Sequence, residues 1–400
     1  MNPDLMSLTI GIDARQLESP SWGVGRVLRC LLREWARDAR GHRFVLYFKD
    51  RIADLDYLRG NSFVSKRVVA PLGIRSHRFW EQVALPREIN RNRVDVFLAP
   101  SYIIPFAAPC PKVVVLHDMS FILHPEWYSP RERWELGLLT KWTVDRADRI
   151  VCCSRQTREE IRGFYGVKEE DRFVIAPWAA DESFSSPAGD DPSVLARLNI
   201  RQPYFIFVGY LFQRRNLPIL LRSFHQLVST HPECSLVIVG RDKDYGGSLP
   251  LLARELRISE RVVFLDYVSE DDLVSLYRSA LALVHPSAYE GFGLPVIEAM
   301  ASGIPVIIGP SAAMAEAAGH AAMKVDPMDE ANLTRAMCEL IDNDRSREEW
   351  IERGRTRLNE LSWARTGTVI LEALVQAALF PLGSQPPRTQ GDSAAIQNIN

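Results

Sequence analysis

Glu290 and Glu298 bracket a glycine turn, Gly291-Phe292-Gly293-Leu294, followed by Pro295. An ionised carboxylate only accepts hydrogen bonds, so each glutamate suits a vicinal diol. The glycines let backbone approach a ligand closely. Pro295 fits the first position of a helix, whose free N–H groups and positive dipole end attract phosphate. Upstream, Gly209 precedes a second cluster, Arg214-Arg215-Asn216. Guanidinium forks grip phosphate oxygens in pairs. These groups suit a ligand with hydroxyls at both ends and phosphates between them, the layout of a nucleotide sugar. The plain alternative is a solvated helix bearing two glutamates beside a solvated basic turn. The agreement of glycines, prolines and spacing argues against it.

The elements that must hold these residues can be read from the apolar runs. An apolar stretch over 281–284 predicts a buried strand, and 296–301 a short helix stopped by Gly303 and Pro305. Residues 306–308 predict the next strand, completing a strand–loop–helix–strand unit of a parallel sheet. The chain opens with a similar unit: a strand over 8–12, a loop carrying Gly23, Gly25 and Arg26, then Val27, Leu28, Leu31, Leu32 and Trp35 at helical spacing. By itself, that Gly-x-Gly is as readily a turn as a site. Further strands are predicted at 44–48, 94–98, 112–116, 149–153, 173–176, 204–208, 235–239 and 262–265. The run over 112–116 ends in His117-Asp118, and open α/β sheets place ligands at such strand ends. The fold class expected is α/β, with two doubly wound domains facing across a cleft. Residues 1–180 form the first domain, 181–200 a linker rich in Ser, Pro and Asp, and 201–361 the second. A final helix spans 362–379, and a polar tail over 380–400 is expected to be disordered.

Composition excludes several classes. The 400 residues are 46% hydrophobic and 24% charged, with a formal net charge of −2. That describes a globular protein with no overall field favouring nucleic acid. No apolar run reaches bilayer-spanning length, and the first residues lack signal-peptide character. The six cysteines are scattered without metal-ligand spacing, so reduced core thiols in the cytoplasm are expected. A basic, aromatic stretch from Arg75 to Ile89 could meet anionic lipid through Arg75, Arg78, Arg87, Arg91 and Arg93, with Phe79 and Trp80 dipping in. The favoured reading is that Phe79, Trp80 and Val83 are core and the arginines simply solvated.

The motif SAYEGFGLPVIEAMASGIPVI, residues 287–307, carries the E-x7-E pattern and closely resembles the retaining GT-B glycosyltransferases of family four. The likeness extends from residue 10 to about 377 and is most specific in the second half. It implies Rossmann-like domains, a nucleotide-diphosphate-sugar donor and no metal or other cofactor. Donor binding would fall to Gly209, Arg214, Arg215, Glu290, Gly291, Phe292, Gly293, Leu294 and Glu298. Glu298 would take the ribose diol, and His117, Glu290, Arg214 and Arg215 would serve the chemistry. Gly23, Gly25, Arg26 and Asp118 would line the acceptor side. The turn after 262–265 would lie beside the base, and the last helix would cross back to the first domain.

Arg-Arg-Asn stands where the family shows Arg-Lys-Asn. This version resembles bacterial mannosyltransferases of polysaccharide assembly, implying GDP-mannose and a lipid-linked saccharide acceptor at the inner face of a membrane. Two departures stand out. Pro177-Trp178-Ala179-Ala180-Asp181 replaces an Asn-Gly-Val-Asp-like turn, and Ala315 replaces the proline before Glu316. Other GT-B activities, a nucleotide-sugar epimerase or a sugar phosphorylase, remain as alternatives, although no cofactor lysine stands out. So does an inactive sugar-nucleotide-binding subunit.

Overall fold

The computed structural model describes residues 7–18, 23–69, 76–186, 193–326 and 328–383. The first lobe holds a seven-stranded sheet of β1 (Thr9–Asp13), β2 (Arg43–Phe48), β3 (Val64–Val68), β4 (Val96–Ala99), β5 (Lys112–Leu116), β6 (Arg149–Cys152) and β7 (Phe173–Ile175), ordered β3-β2-β1-β4-β5-β6-β7. The second holds β8 (Tyr204–Val208), β9 (Ser235–Val239), β10 (Val262–Leu265), β11 (Ala282–His285), β12 (Val306–Ile308) and β13 (Met323–Lys324), ordered β10-β9-β8-β11-β12-β13. Every pairing is parallel. Helices cover both faces, so β4, β8 and β9 are buried throughout. They therefore read in sequence as unbroken apolar runs.

The expected strands recur within a residue or two of their predicted ends. Two were not anticipated, β3 and β13, and both are edges. An edge strand needs only one buried side, so β3 carries Ser65, Lys66 and Arg67 and shows no apolar run. In the basic stretch after Ser76 the core reading holds at Trp80. The stretch forms a broken helix, with a π-turn over Trp80–Ala84. Trp80 is fully buried, donates Nε1–H to the Val69 carbonyl at 2.9 Å and lies under the Arg15 guanidinium. Arg78 is held by Glu135 at 2.8 Å and Glu81 at 3.1 Å. Trp80 is therefore core and cannot dip into lipid. Phe79 and Val83 are half-buried, Arg87, Arg91 and Arg93 are exposed, and Arg75 lies outside the described residues.

The helix Trp363–Leu379 packs on the opening helix Val24–Arg37 and along β4 to β7. Trp35 donates Nε1–H to the Gly367 carbonyl at 3.0 Å, and Trp363 stacks on Trp178 with centroids 5.9 Å apart. The last part of the chain thus completes the core of the first lobe. Beyond it, Leu382 N–H donates to Asp148 at 2.6 Å, and 384–400 of the expected tail lie outside the described residues. So do 187–192 of the linker. All six cysteines are free; five are buried and Cys338 is half-buried. Leu374 on the crossing helix is 0% exposed. Leu374→Ala should cost about 2–5 kcal/mol, read as a lower denaturant midpoint, with the loss largest for probes in the first lobe.

Candidate active site

In each sheet the strand order reverses at one place, between β1 and β4 and between β8 and β11. Loops leaving neighbouring strands in opposite directions open a crevice there. In the second lobe those loops are the two singled out from sequence. The loop after β8 carries Gly209, Arg214 and Arg215, and the loop after β11 carries Glu290 to Gly293. They are bolted together: Asn216 Nδ2 donates to the Pro286 carbonyl and Ala288 N–H to the Arg214 carbonyl, both at 2.9 Å. Asn216 adopts a left-handed φ of 53°, which its short amide side chain tolerates. This is a physical reason for asparagine after the two cations.

A cleft of about 280 Å³ lies between the lobes. Gly209, Arg214, Arg215, Glu290, Gly291, Phe292, Gly293, Leu294 and Glu298 line it from the second lobe. Gly23, Arg26, His117 and Asp118 line it from the first, whereas Gly25 is buried in the opening helix and is not among the lining residues. The wall also includes Tyr102, Trp178 and His285, which sequence reading did not assign to it.

The two arginines are not equivalent. Arg215 Nε donates to Glu290 at 2.8 Å and its Nη1 to the Tyr210 carbonyl at 2.9 Å, so much of its fork is already engaged. Arg214 lies over the Phe212 ring with its Nε buried and without a hydrogen-bond partner. Burial alone would raise the Glu290 pKa, but Arg215, then Arg214, overrides it and holds Glu290 at about 2. Such a depressed acid adds stability above the ordinary carboxylate value, lost as pH falls towards 2. Glu298 is gripped from across the cleft. Its Oε1 is paired with Arg26 and its Oε2 accepts from the Tyr277 hydroxyl at 3.2 Å.

His117 Nε2 lies 2.7 Å from the Pro100 carbonyl. A carbonyl only accepts, so Nε2 carries the proton and Nδ1 is left as the acceptor. Burial lowers the His117 pKa, which keeps the ring neutral. Asp118 turns to its own loop and accepts from the Ser120 N–H and hydroxyl at 2.9 and 2.7 Å. Trp178, in the departing turn, lies 6.1 Å from the His117 ring. His285 is held by burial at about 4 and exchanges a 2.9 Å hydrogen bond with Ser287, while its Nε2 has no partner.

The two walls are clasped around the glycine turn. A Cβ on Gly291 would stand 1.8 Å from the His117 carbonyl oxygen, so only glycine permits this approach. Its carbonyl accepts from Ser154 Oγ at 2.9 Å. Beside it, Glu316 reaches over from the second lobe and accepts from the N–H groups of Arg155, at 2.9 and 2.8 Å, and Gln156, at 3.3 Å. These open the helix Arg155–Tyr165, where a negative charge is favoured. Tyr289 donates its hydroxyl to Glu160 at 2.6 Å and accepts from Met119 N–H at 2.9 Å.

Two family models match the chain: "Glycosyltransferase Family 4" over residues 22–182 and "Glycosyl transferases group 1" over 196–357. The chain belongs to the GT-B glycosyltransferases of family four. This glycosyltransferase is 29% identical to the O-antigen chain mannosyltransferase B of Escherichia coli, over 76% of its own length and 80% of that protein. It is 28% identical to the O-antigen chain mannosyltransferase RfbU of Salmonella typhimurium, over 56% and 60%. Its fold matches WaaG, a glycosyltransferase involved in lipopolysaccharide biosynthesis, with TM-score 0.73 and 16% identity, covering 92% of this chain and 99% of that one. HepE of Anabaena, in complex with UDP and glucose, gives TM-score 0.73 at 18% identity with the same coverage. No helix among the described residues is long and apolar enough to cross a membrane.

Two measurements probe this site in the enzyme. Gly291→Ala should hold the lobes apart, enlarging the radius of gyration in solution scattering and lowering activity about 100-fold; Glu316→Ala should enlarge it with a smaller loss. Arg215→Met should cost about 3–5 kcal/mol by stranding a buried carboxylate. Adding Glu290→Gln should recover much of that in a denaturant double-mutant cycle.

Proposed function

We propose that the enzyme moves a hexose from a nucleotide-diphosphate sugar to a saccharide acceptor, retaining anomeric configuration. The observation that carries this reading is the convergence of Arg214, Arg215 and the Gly291 turn on one cleft wall, with a carboxylate on either side. A diphosphate gripped there has its leaving-group charge met by guanidinium and by backbone N–H groups at the start of the helix Leu294–Ala301. Arg214, with unsatisfied donor capacity, is the principal phosphate ligand in this scheme. Arg215 acts mainly by fixing Glu290. Glu290 and the amides from Gly291 to Leu294 position the sugar, and Glu298 takes the ribose. On the opposite wall, neutral His117 faces the reacting carbon and its substituents.

Mannose from GDP-mannose, passed to a lipid-linked saccharide in O-antigen-like or exopolysaccharide assembly, is the substrate pair we infer. It is supported by the Arg-Arg-Asn turn and by the similarity to two O-antigen mannosyltransferases. No metal is required in this scheme, because the Arg214 guanidinium and the N–H groups at the start of the helix Leu294–Ala301 meet the diphosphate charge that a divalent cation would otherwise meet.

A thermal-shift screen over GDP-, UDP- and ADP-sugars should give the largest rise in Tm with GDP-mannose, since a ligand stabilises the state that binds it. A larger rise with a UDP-sugar would overturn the base and leave the reaction class standing. Full activity should persist in EDTA; loss restored by magnesium or manganese would overturn metal independence. Donor hydrolysis without acceptor should disappear in Arg214→Ala and Glu290→Ala.

A further inference from the structure

Arg26 belongs to the opening helix of the first lobe, yet its guanidinium is spent on a glutamate of the second. It is 3% exposed and Glu298 is 2% exposed. Their ion pair is joined by the Tyr277 hydroxyl on the other carboxylate oxygen, 3.2 Å away. Arg26 also lies over the Phe184 ring, 5.4 Å from its centroid. Both Arg26 and Glu298 line the cleft, and Arg26 also walls a second hollow lined by Arg29, Arg51, Tyr267 and Glu270. Arg26 therefore stands between two cavities, with Glu298 on the cleft side.

A carboxylate this deep is costly as an ion and stays charged only beside a cation. In the second lobe the other cations of the site, Arg214 and Arg215, lie at Glu290. The cation that Glu298 uses comes from the opposite wall. One bond to each oxygen still leaves each with a free lone pair, which is what two ribose hydroxyls need.

We propose that Arg26 is a positioning residue for the donor: it keeps Glu298 ionised and oriented towards the cleft, so that the ribose acceptor is complete only while the lobes are closed. This inference rests on reading Glu298 as the ribose acceptor. It makes the first lobe a participant in donor recognition, although it contributes no side chain to the ribose itself. Burial, the larger influence, holds the Glu298 pKa above its ordinary value even though Arg26 opposes it, so the carboxylate depends on that partner for its charge.

The test is calorimetry of the full chain with GDP and UDP, each compared with its 2′-deoxy form. Wild type should favour the ribonucleotide about tenfold or more, the worth of a hydrogen bond to a charged group. Arg26→Met should bind both forms alike, at the level of Glu298→Ala. Arg26→Met that keeps the wild-type preference overturns the proposal. Glu298→Ala that keeps the preference overturns the ribose reading instead, and a wild type that binds neither nucleotide overturns the donor reading. Should Arg26→Met not fold, Arg26→Gln, which keeps an amide donor on a shorter, uncharged side chain, carries the same outcomes. Arg26→Lys should restore part of the preference, which a merely packing role for Arg26 would not require.

Discussion

A carboxylate withdrawn from water must be neutralised by a partner or by a proton, and this cleft contains two such groups. Glu290 and Glu298 meet the constraint in opposite ways. Glu290 is held by Arg215 of its own lobe, at 2.8 Å. Glu298 is held by Arg26 of the other. The first pair belongs to the second lobe and makes its glycine turn a stiff unit. The second pair exists only through the meeting of the lobes. Much else in the site follows from that division. Arg214 is left with unused donor capacity, and the glycine turn is free to close on the strand end at His117.

The clasp around Gly291 serves the same end through a hydroxyl and one charge placed on a helix start. Ser154 caps its own helix and also donates to the Gly291 carbonyl, so one hydroxyl fixes a helix start and a loop from the other lobe. Glu316 adds a charge at that helix start. None of these contacts is large, but they sit on the turn that lines the cleft, so the lobes cannot separate without changing the shape of the site.

The fold was legible because parallel sheets covered on both faces write themselves as apolar runs; β8, β9 and β11 could hardly be read otherwise. What escaped was structure that leaves no such trace. β3 is an edge strand with polar residues, and β13 is only two residues long. The site divides along a similar line. Arg214, Glu290 and the glycine turn were readable, since their chemistry depends on neighbours in sequence. Partners chosen by tertiary closure were not: Arg26 with Glu298, Ser154 with Gly291, Glu316 with the Arg155 helix start. The arginine pair shows the limit most clearly. Sequence reading made Arg214 and Arg215 equal phosphate ligands, and only the fold reveals that one is engaged by Glu290. For Trp80, aromatic character beside arginines left a lipid-facing role open beside the favoured core reading, and burial under Arg15 with a bond to Val69 makes it core.

The crossing helix has a consequence for biosynthesis. Trp363–Leu379 is made after both sheets, yet it covers the first lobe along β4 to β7 and stacks on Trp178. Throughout translation of the second lobe, the first stands with an uncovered apolar face. A nascent chain halted before Trp363 therefore presents that face to chaperones or to its neighbours, rather than a finished half-molecule. The two halves look modular, yet neither can be shortened, exchanged or released early without cost to the other.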